Sequence, residues 1–323
     1  MAMSAAALNP EKFTPFNIHS TIYKTVNDHP IGVDVLVPKG LRTGPGKNPL
    51  IVRFHGGFLV TGASLLPLFF TNWILDLAVV NDAVIVSADY RLMPEATGAD
   101  ILTDVADLWF WVHNDLQSFI STTAAAEAAP HVDLSHTLVV GDSAGGWLAM
   151  QSALTQPAGS IKAAIGLYPQ LDIRDPFFNT EFEKLLFGMP MLPNEILDAH
   201  VATLTPGAVM TSAYPPARLD LACAMVQNGR VLEFLGTGEE LFPVELVAHA
   251  ESMPAVLILH GHEDSVVPVA GSLRFVEALK KKLPESAVKL DVRPGDHGFD
   301  GDAKLEEQWL SEDVEFICKH WLE

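Results

Sequence analysis

The sequence predicts an α/β protein: one mostly parallel, eight-stranded sheet with helices on both faces and a helical cap. Three observations carry this. After an opening hairpin, short β-prone runs alternate with runs of helical period. The runs "LIVRF", "VIVSA" and "VLIL" are apolar almost throughout, as strands covered on both faces must be. The alternation then fails over about residues 175–252, where prolines separate short apolar helical pieces such as "NEILDAHVATL".

The elements follow in order. The first twenty or so residues show no strand pattern and are expected to join the cap. "STIYKTV" and "IGVDVLVP" flank Asn27-Asp28, which reads as a hairpin turn. Strand "PLIVRFH" precedes a helical pattern over 65–80, "AVIVSADY" one over 99–119, and "HTLVVGD" one over 143–154. "STTAAAEAAP", between the second of these helices and its next strand, reads as a helix end and surface loop. "AAIGLYP" is the sixth strand, and the cap follows it. "AVLILHG", a helix over 267–282, "VKLDVRPG" and a helix over 305–321 complete the chain. The last strand reads as an exposed edge through which a homodimer could form.

A chain of 323 residues, 49% hydrophobic and 19% charged, has ample core for one domain spanning 1–323. Forty acidic against twenty basic side chains give a net charge of −20, which disfavours nucleic acid and anionic membrane surfaces as partners. Cys223 and Cys318 are far apart, so no disulfide framework or zinc site is written here. There is no basic leader and no run of 18 apolar residues, which together predict a soluble, cytoplasmic protein without membrane insertion. No phosphate loop or dinucleotide fingerprint occurs, "GTGEE" lacking both the third glycine and the preceding strand, so no cofactor is expected.

Chemistry concentrates at "GDSAG", residues 141–145, a Gly-x-Ser-x-Gly between a strand and a helix. A serine at such an apex is held in a strained turn, and the flanking glycines let strand and helix approach. The amide of Ala144 then points to where an oxyanion would form. A second feature, "RFHGGFLVTG", ends a strand in paired glycines that leave backbone amides exposed, each such donor worth roughly 3 kcal/mol in a transition state. An acid and a base are required later in the chain, and "HGHEDSVVP" and "GDHGF" supply Asp264 and His297 in loops at the carboxyl ends of their strands, the same sheet edge as Ser143. Glu263 and Asp296 are rival acids. His260 and His262 read as local hydrogen-bonding residues, and their strand-end spacing does not suit a metal site.

With "HGGF", "SADYRLMPE", "GDSAGG", "HGHEDSVVP" and "GDHGF" in this order over about 49–322, the chain resembles the α/β-hydrolase superfamily. Within it, the likeness is to the hormone-sensitive-lipase-like carboxylesterases. The resemblance implies Ser143 as nucleophile, His297 as base, Asp264 as its orienting acid, and the backbone amides of Gly57, Phe58 and Ala144 as an oxyanion hole. It implies a structural role for the "DYRL" turn. Two departures stand out: Phe58 replaces the usual third glycine, and the acid loop is more similar to kynurenine-formamidase-like and peptidase-like relatives.

The expected activity is hydrolysis of an ester, lactone or thioester of a small hydrophobic acyl substrate through an acyl-enzyme. The resemblance also suggests a place in fungal secondary metabolism. Amide or formamide hydrolysis, acyl transfer and cleavage of a β-diketone use the same groups. A small-molecule receptor on this scaffold is the non-enzymatic alternative.

Overall fold

The structure is a computed structural model that describes residues 10–41, 47–123 and 129–323. Part of the "STTAAAEAAP" stretch therefore lies outside the described residues.

The strands are β1 (Phe16–Val26), β2 (His29–Pro38), β3 (Asn48–Phe54), β4 (Val84–Ala88), β5 (Val132–Asp142), β6 (Ala163–Leu167), β7 (Ala255–Gly261) and β8 (Val288–Arg293). They form one open sheet in the order β1-β2-β4-β3-β5-β6-β7-β8. The pairs β1–β2 and β2–β4 are antiparallel and the others parallel. Asn27 and Asp28 both take left-handed φ, 49° and 63°, the geometry that lets a two-residue turn follow the strand twist. β8 is a sheet edge, as its sequence suggests.

One expectation is overturned at the amino end. β1 begins at Phe16, inside the stretch read as strandless, and pairs with β2 from Phe16↔Pro38 onward. Phe13 and Phe16 pack with Phe70 and Trp73 in a core on one face of the sheet. The larger buried apolar side chains of residues 175–252 belong to the core on the other face. The strand escapes a pattern reading because its apolar residues do not keep to the buried side: Ile18 and Ile22 are exposed while His19 and Thr21 are half-buried.

Helices α1 (Asn72–Val80), α2 (Gly98–Asn114), α3 (Leu116–Thr123), α4 (Ala144–Thr155), α5 (Pro176–Asn179), α6 (Glu195–Val201), α7 (Leu219–Gln227), α8 (Val231–Leu235), α9 (Pro243–Leu246), α10 (Val269–Lys282) and α11 (Gln308–Leu322) complete the set. Trp73 of α1 and Trp321 of α11 pack in one core, Trp109 of α2, Trp147 of α4 and Phe275 of α10 in the other, so both faces are covered. α1 starts later than the period over 65–80 predicts. Pro67 cannot sit inside a helix, and the carbonyls of Ser64, Pro67 and Phe69 are taken by Arg53 and Lys12. The second pattern divides at Asp115 into α2 and α3. α2 opens with a capping box between Thr97 and Asp100.

Residues 175–252 add no strand to the sheet and carry α5 to α9. They are pinned to it at several points. Gly62 and Ala213 exchange backbone hydrogen bonds of 2.8 Å, and Leu92 donates to Met210 at 2.7 Å. Trp147 and Gln151 of α4 donate to the carbonyls of Leu241 and Glu240. Arg218 makes a two-pronged contact with Glu95, at 2.6 and 2.9 Å, and also donates to the carbonyls of Val60 and Met93.

Candidate active site

Ser143 occupies the turn between β5 and α4 with φ 55° and ψ −119°, a conformation a side chain adopts only under constraint. The constraint is visible in its neighbours. A Cβ on Gly141 would lie 2.0 Å from the Gly145 carbonyl oxygen, and one on Gly145 would lie 2.2 Å from that of Phe54. The two glycines therefore let the strand, the turn and the end of β3 close on one another. The Ser143 amide donates to Leu167 at 2.8 Å, tying the corner to the end of β6.

Beyond β3 the chain turns sharply: Gly57, Phe58 and Leu59 have φ of 110°, 61° and 63° in succession. Val60 and Thr61 both donate to the Gly57 carbonyl at 2.9 Å and close the loop. Among the described residues, the amides of Gly57 and Phe58 donate to no protein group. Ala144, first in α4, has no carbonyl of its own helix to bond. These are the three amides that sequence reasoning selected.

An ion pair that sequence reasoning missed holds this loop to the serine corner. Arg53 reaches Asp142 at 2.9 Å, with both side chains buried, and lies 4.1 Å over the Phe70 ring. The other oxygen of Asp142 accepts from the Gly56 amide at 2.9 Å. Burial raises the Asp142 carboxyl above its ordinary pKa, against the opposing pull of Arg53 and the Gly56 amide. The signal was present: an arginine inside the apolar run "LIVRF" needs a buried partner. His55 is buried beside it, stacked on Tyr90 at 4.3 Å. Its Nδ1 donates to the Gly56 carbonyl at 2.7 Å, and burial lowers its pKa to about 3, so it is neutral and structural.

The acid and base loops meet directly. His297 Nδ1 donates to Asp264 Oδ2 at 2.8 Å, while Asp264 Oδ1 accepts from the amides of Val266 and Val267 at 2.9 and 2.8 Å. Burial alone would raise the Asp264 carboxyl. Hydrogen bonds from His260, His297 and the Val267 amide outweigh it and hold the group well below the usual carboxylate range. His260 is fully buried, bonds Val267 and Ser272, and stands 3.3 Å from Asp264, so its local role includes support of the acid.

The rival acids have another task. Asp296 accepts from the amides of Ser265 and His297, both at 2.7 Å, and Glu263 accepts from the Gly295 amide at 2.7 Å. They clasp the two loops together. The His262 side chain is exposed and pairs with its neighbour Glu263.

Tyr168, which sequence reasoning did not select, follows β6 with φ 39° and places its ring 4.5 Å from that of His297. Since the Ser143 amide bonds the residue just before it, Tyr168 links the serine corner to the imidazole. The Ser143 hydroxyl makes no hydrogen bond to His297 or to any other described residue. The structure thus joins acid to base, and assembles serine corner and glycine loop, without a serine–imidazole bond. Among the described residues, no group of three or more His, Cys, Asp or Glu is placed to hold a metal. No described helix is long and apolar enough to cross a membrane.

Comparison with known proteins shows the family to which this fold belongs. Residues 51–224 match the alpha/beta hydrolase fold family, and residues 233–322, with the acid and base loops, match the prolyl oligopeptidase family. A probable carboxylesterase, M8, of a Phoma species is 33% identical over 93% of this chain and 94% of its own. Another, clz11 of Cochliobolus lunatus, is 36% identical over 58% of this chain and 87% of its own. Esterase 2 of Thermogutta terrifontis, solved phosphorylated by paraoxon, shares the fold at 18% identity with a TM-score of 0.59, covering 95% of this chain and 93% of that one. The chain belongs to the alpha/beta-hydrolase family.

Proposed function

We propose that this carboxylic ester hydrolase works through an acyl-enzyme on Ser143. The observation that carries the reading is the 2.8 Å hydrogen bond from His297 Nδ1 to Asp264 beside the strained Ser143 corner. Because Nδ1 is committed to the carboxylate, Nε2 is the nitrogen left to accept a proton. As Ser143 Oγ attacks the substrate carbonyl carbon, its proton passes to Nε2, and Asp264 stabilises the imidazolium. The negative oxygen takes the amides of Gly57, Phe58 and Ala144. His297 then protonates the departing alcohol, which leaves the acyl group on Ser143. Water, deprotonated by the same nitrogen, attacks that acyl group, and the carboxylic acid departs as Ser143 recovers its proton. Serine–imidazole contact is often long before substrate binds, so the reading does not depend on that bond being formed in the free protein.

The named relatives, both probable carboxylesterases of fungi, support an ester in preference to an amide. The test compares p-nitrophenyl acetate with N-formylkynurenine as substrates of the wild type and of Ser143→Ala. The reading expects turnover of the acetate, little of the formamide, and loss of at least a thousandfold in kcat for Ser143→Ala with an unchanged circular dichroism spectrum. Acetate turnover that survives in Ser143→Ala would remove Ser143 from the mechanism.

A further inference from the structure

We infer that Phe187 is a specificity-determining residue that limits the acyl group bound beside Ser143 to a short one; the inference rests on the hydrolase reading above. Its ring meets both halves of the site. It stands 6.2 Å from Phe58, edge to face at 88°, and 5.9 Å from His297 at 71°. Phe58 offers one of the three amides, and His297 carries the base. The carbonyl to be attacked must lie between amide and imidazole, so a ring touching both closes one side of the space its substituents need.

The backbone is arranged to keep the ring there. Leu186 is fully buried and anchors the turn, while Phe187 and Gly188 follow in left-handed conformations with φ 53° and 70°. A residue with a Cβ pays for the left-handed region, and glycine does not. Burial is not the return, since 47% of Phe187 is still exposed. A half-exposed aromatic ring held in a strained turn against the base is accounted for by what it does to the space over Ser143, which is itself only 6% exposed. The ring is also free of the Phe177–Phe178–Phe182 aromatic cluster of the same segment, whose rings pack on one another. Truncating it should open the site without dismantling that cluster.

The experiment measures kcat/KM for p-nitrophenyl esters from acetate to decanoate with wild type, Phe187→Ala and Phe187→Trp. Titration with a fluorophosphonate gives the active fraction of each. The inference expects the wild type to favour acetate and butyrate. It expects Phe187→Ala to raise the octanoate-to-acetate ratio at least fivefold, chiefly through a lower KM for octanoate, and Phe187→Trp to lower that ratio. A ratio that changes less than fivefold in Phe187→Ala, or a loss of activity equal at every chain length, overturns it. If the wild type neither reacts with the fluorophosphonate nor turns over any ester, the hydrolase reading fails first, and the inference falls with it.

Discussion

At Asp264 three kinds of donor converge on one buried carboxylate: two backbone amides, the imidazole of His297, and His260 at 3.3 Å. That convergence keeps the group ionised and commits Nδ1 of His297, leaving Nε2 as the ring's other nitrogen. Asp264→Asn keeps the shape but can offer an N–H where the carboxylate accepts, so the imidazole turns to the wrong tautomer. The expected result is a fall of about three to four orders of magnitude in kcat with KM changed little, measured on p-nitrophenyl butyrate. A loss confined to KM would contradict the role. Asp89, in the turn read as structural, behaves in the opposite sense. Burial raises its pKa to about 7, with the Ser64 amide lowering it and Asp34 raising it further. The folded state therefore holds a proton that the unfolded chain releases, and stability falls as pH rises from about 4 to about 7. Asp89→Asn removes this contribution, so its melting temperature should rise relative to wild type between pH 5 and pH 7. Parallel pH profiles would exclude Asp89 as the source.

Between elements, the Arg53–Asp142 pair joins the end of β3 to the end of β5 and carries the glycine loop with it. Removing one partner leaves a buried charge alone. Arg53→Met should cost about 3–5 kcal/mol in urea unfolding, and adding Asp142→Asn should restore part of the loss. Additive losses would show that the two side chains act independently. Strands β3, β4, β6 and β7 were legible because burial on both faces makes each an apolar run, and the serine corner was legible because its two glycines answer a local steric need. Arg53 and Asp142 sit in those same motifs, yet their pairing depends on the register Phe54↔Gly141 between strands far apart in sequence. Tyr168 was missed for a similar reason: nothing in "AAIGLYP" marks a tyrosine that meets an imidazole from a loop after β8.

For the whole molecule, what matters is how the 175–252 segment is tied to the rest of the chain. Its position as an interruption of the βα alternation was plain from the sequence, but its contacts were not, because short apolar pieces without a sustained period do not announce their partners. Glu95 is the central tie, bonding Arg218 and His200 from two parts of the segment. Glu95→Gln should loosen it, which limited proteolysis would register as faster cleavage within residues 202–217 while the sheet core stays resistant. Unchanged cleavage would place the tie elsewhere. The central claim is that a serine corner, an imidazole and a carboxylate from three separated loops act as one chemical unit. The most direct measurement is reaction with a fluorophosphonate followed by mass mapping of the modified peptide in wild type, His297→Ala and Asp264→Asn. The account predicts a single adduct on Ser143, formed at least a hundredfold more slowly in both variants. An adduct on another residue, or labelling of Ser143 at an unchanged rate without His297, would contradict it.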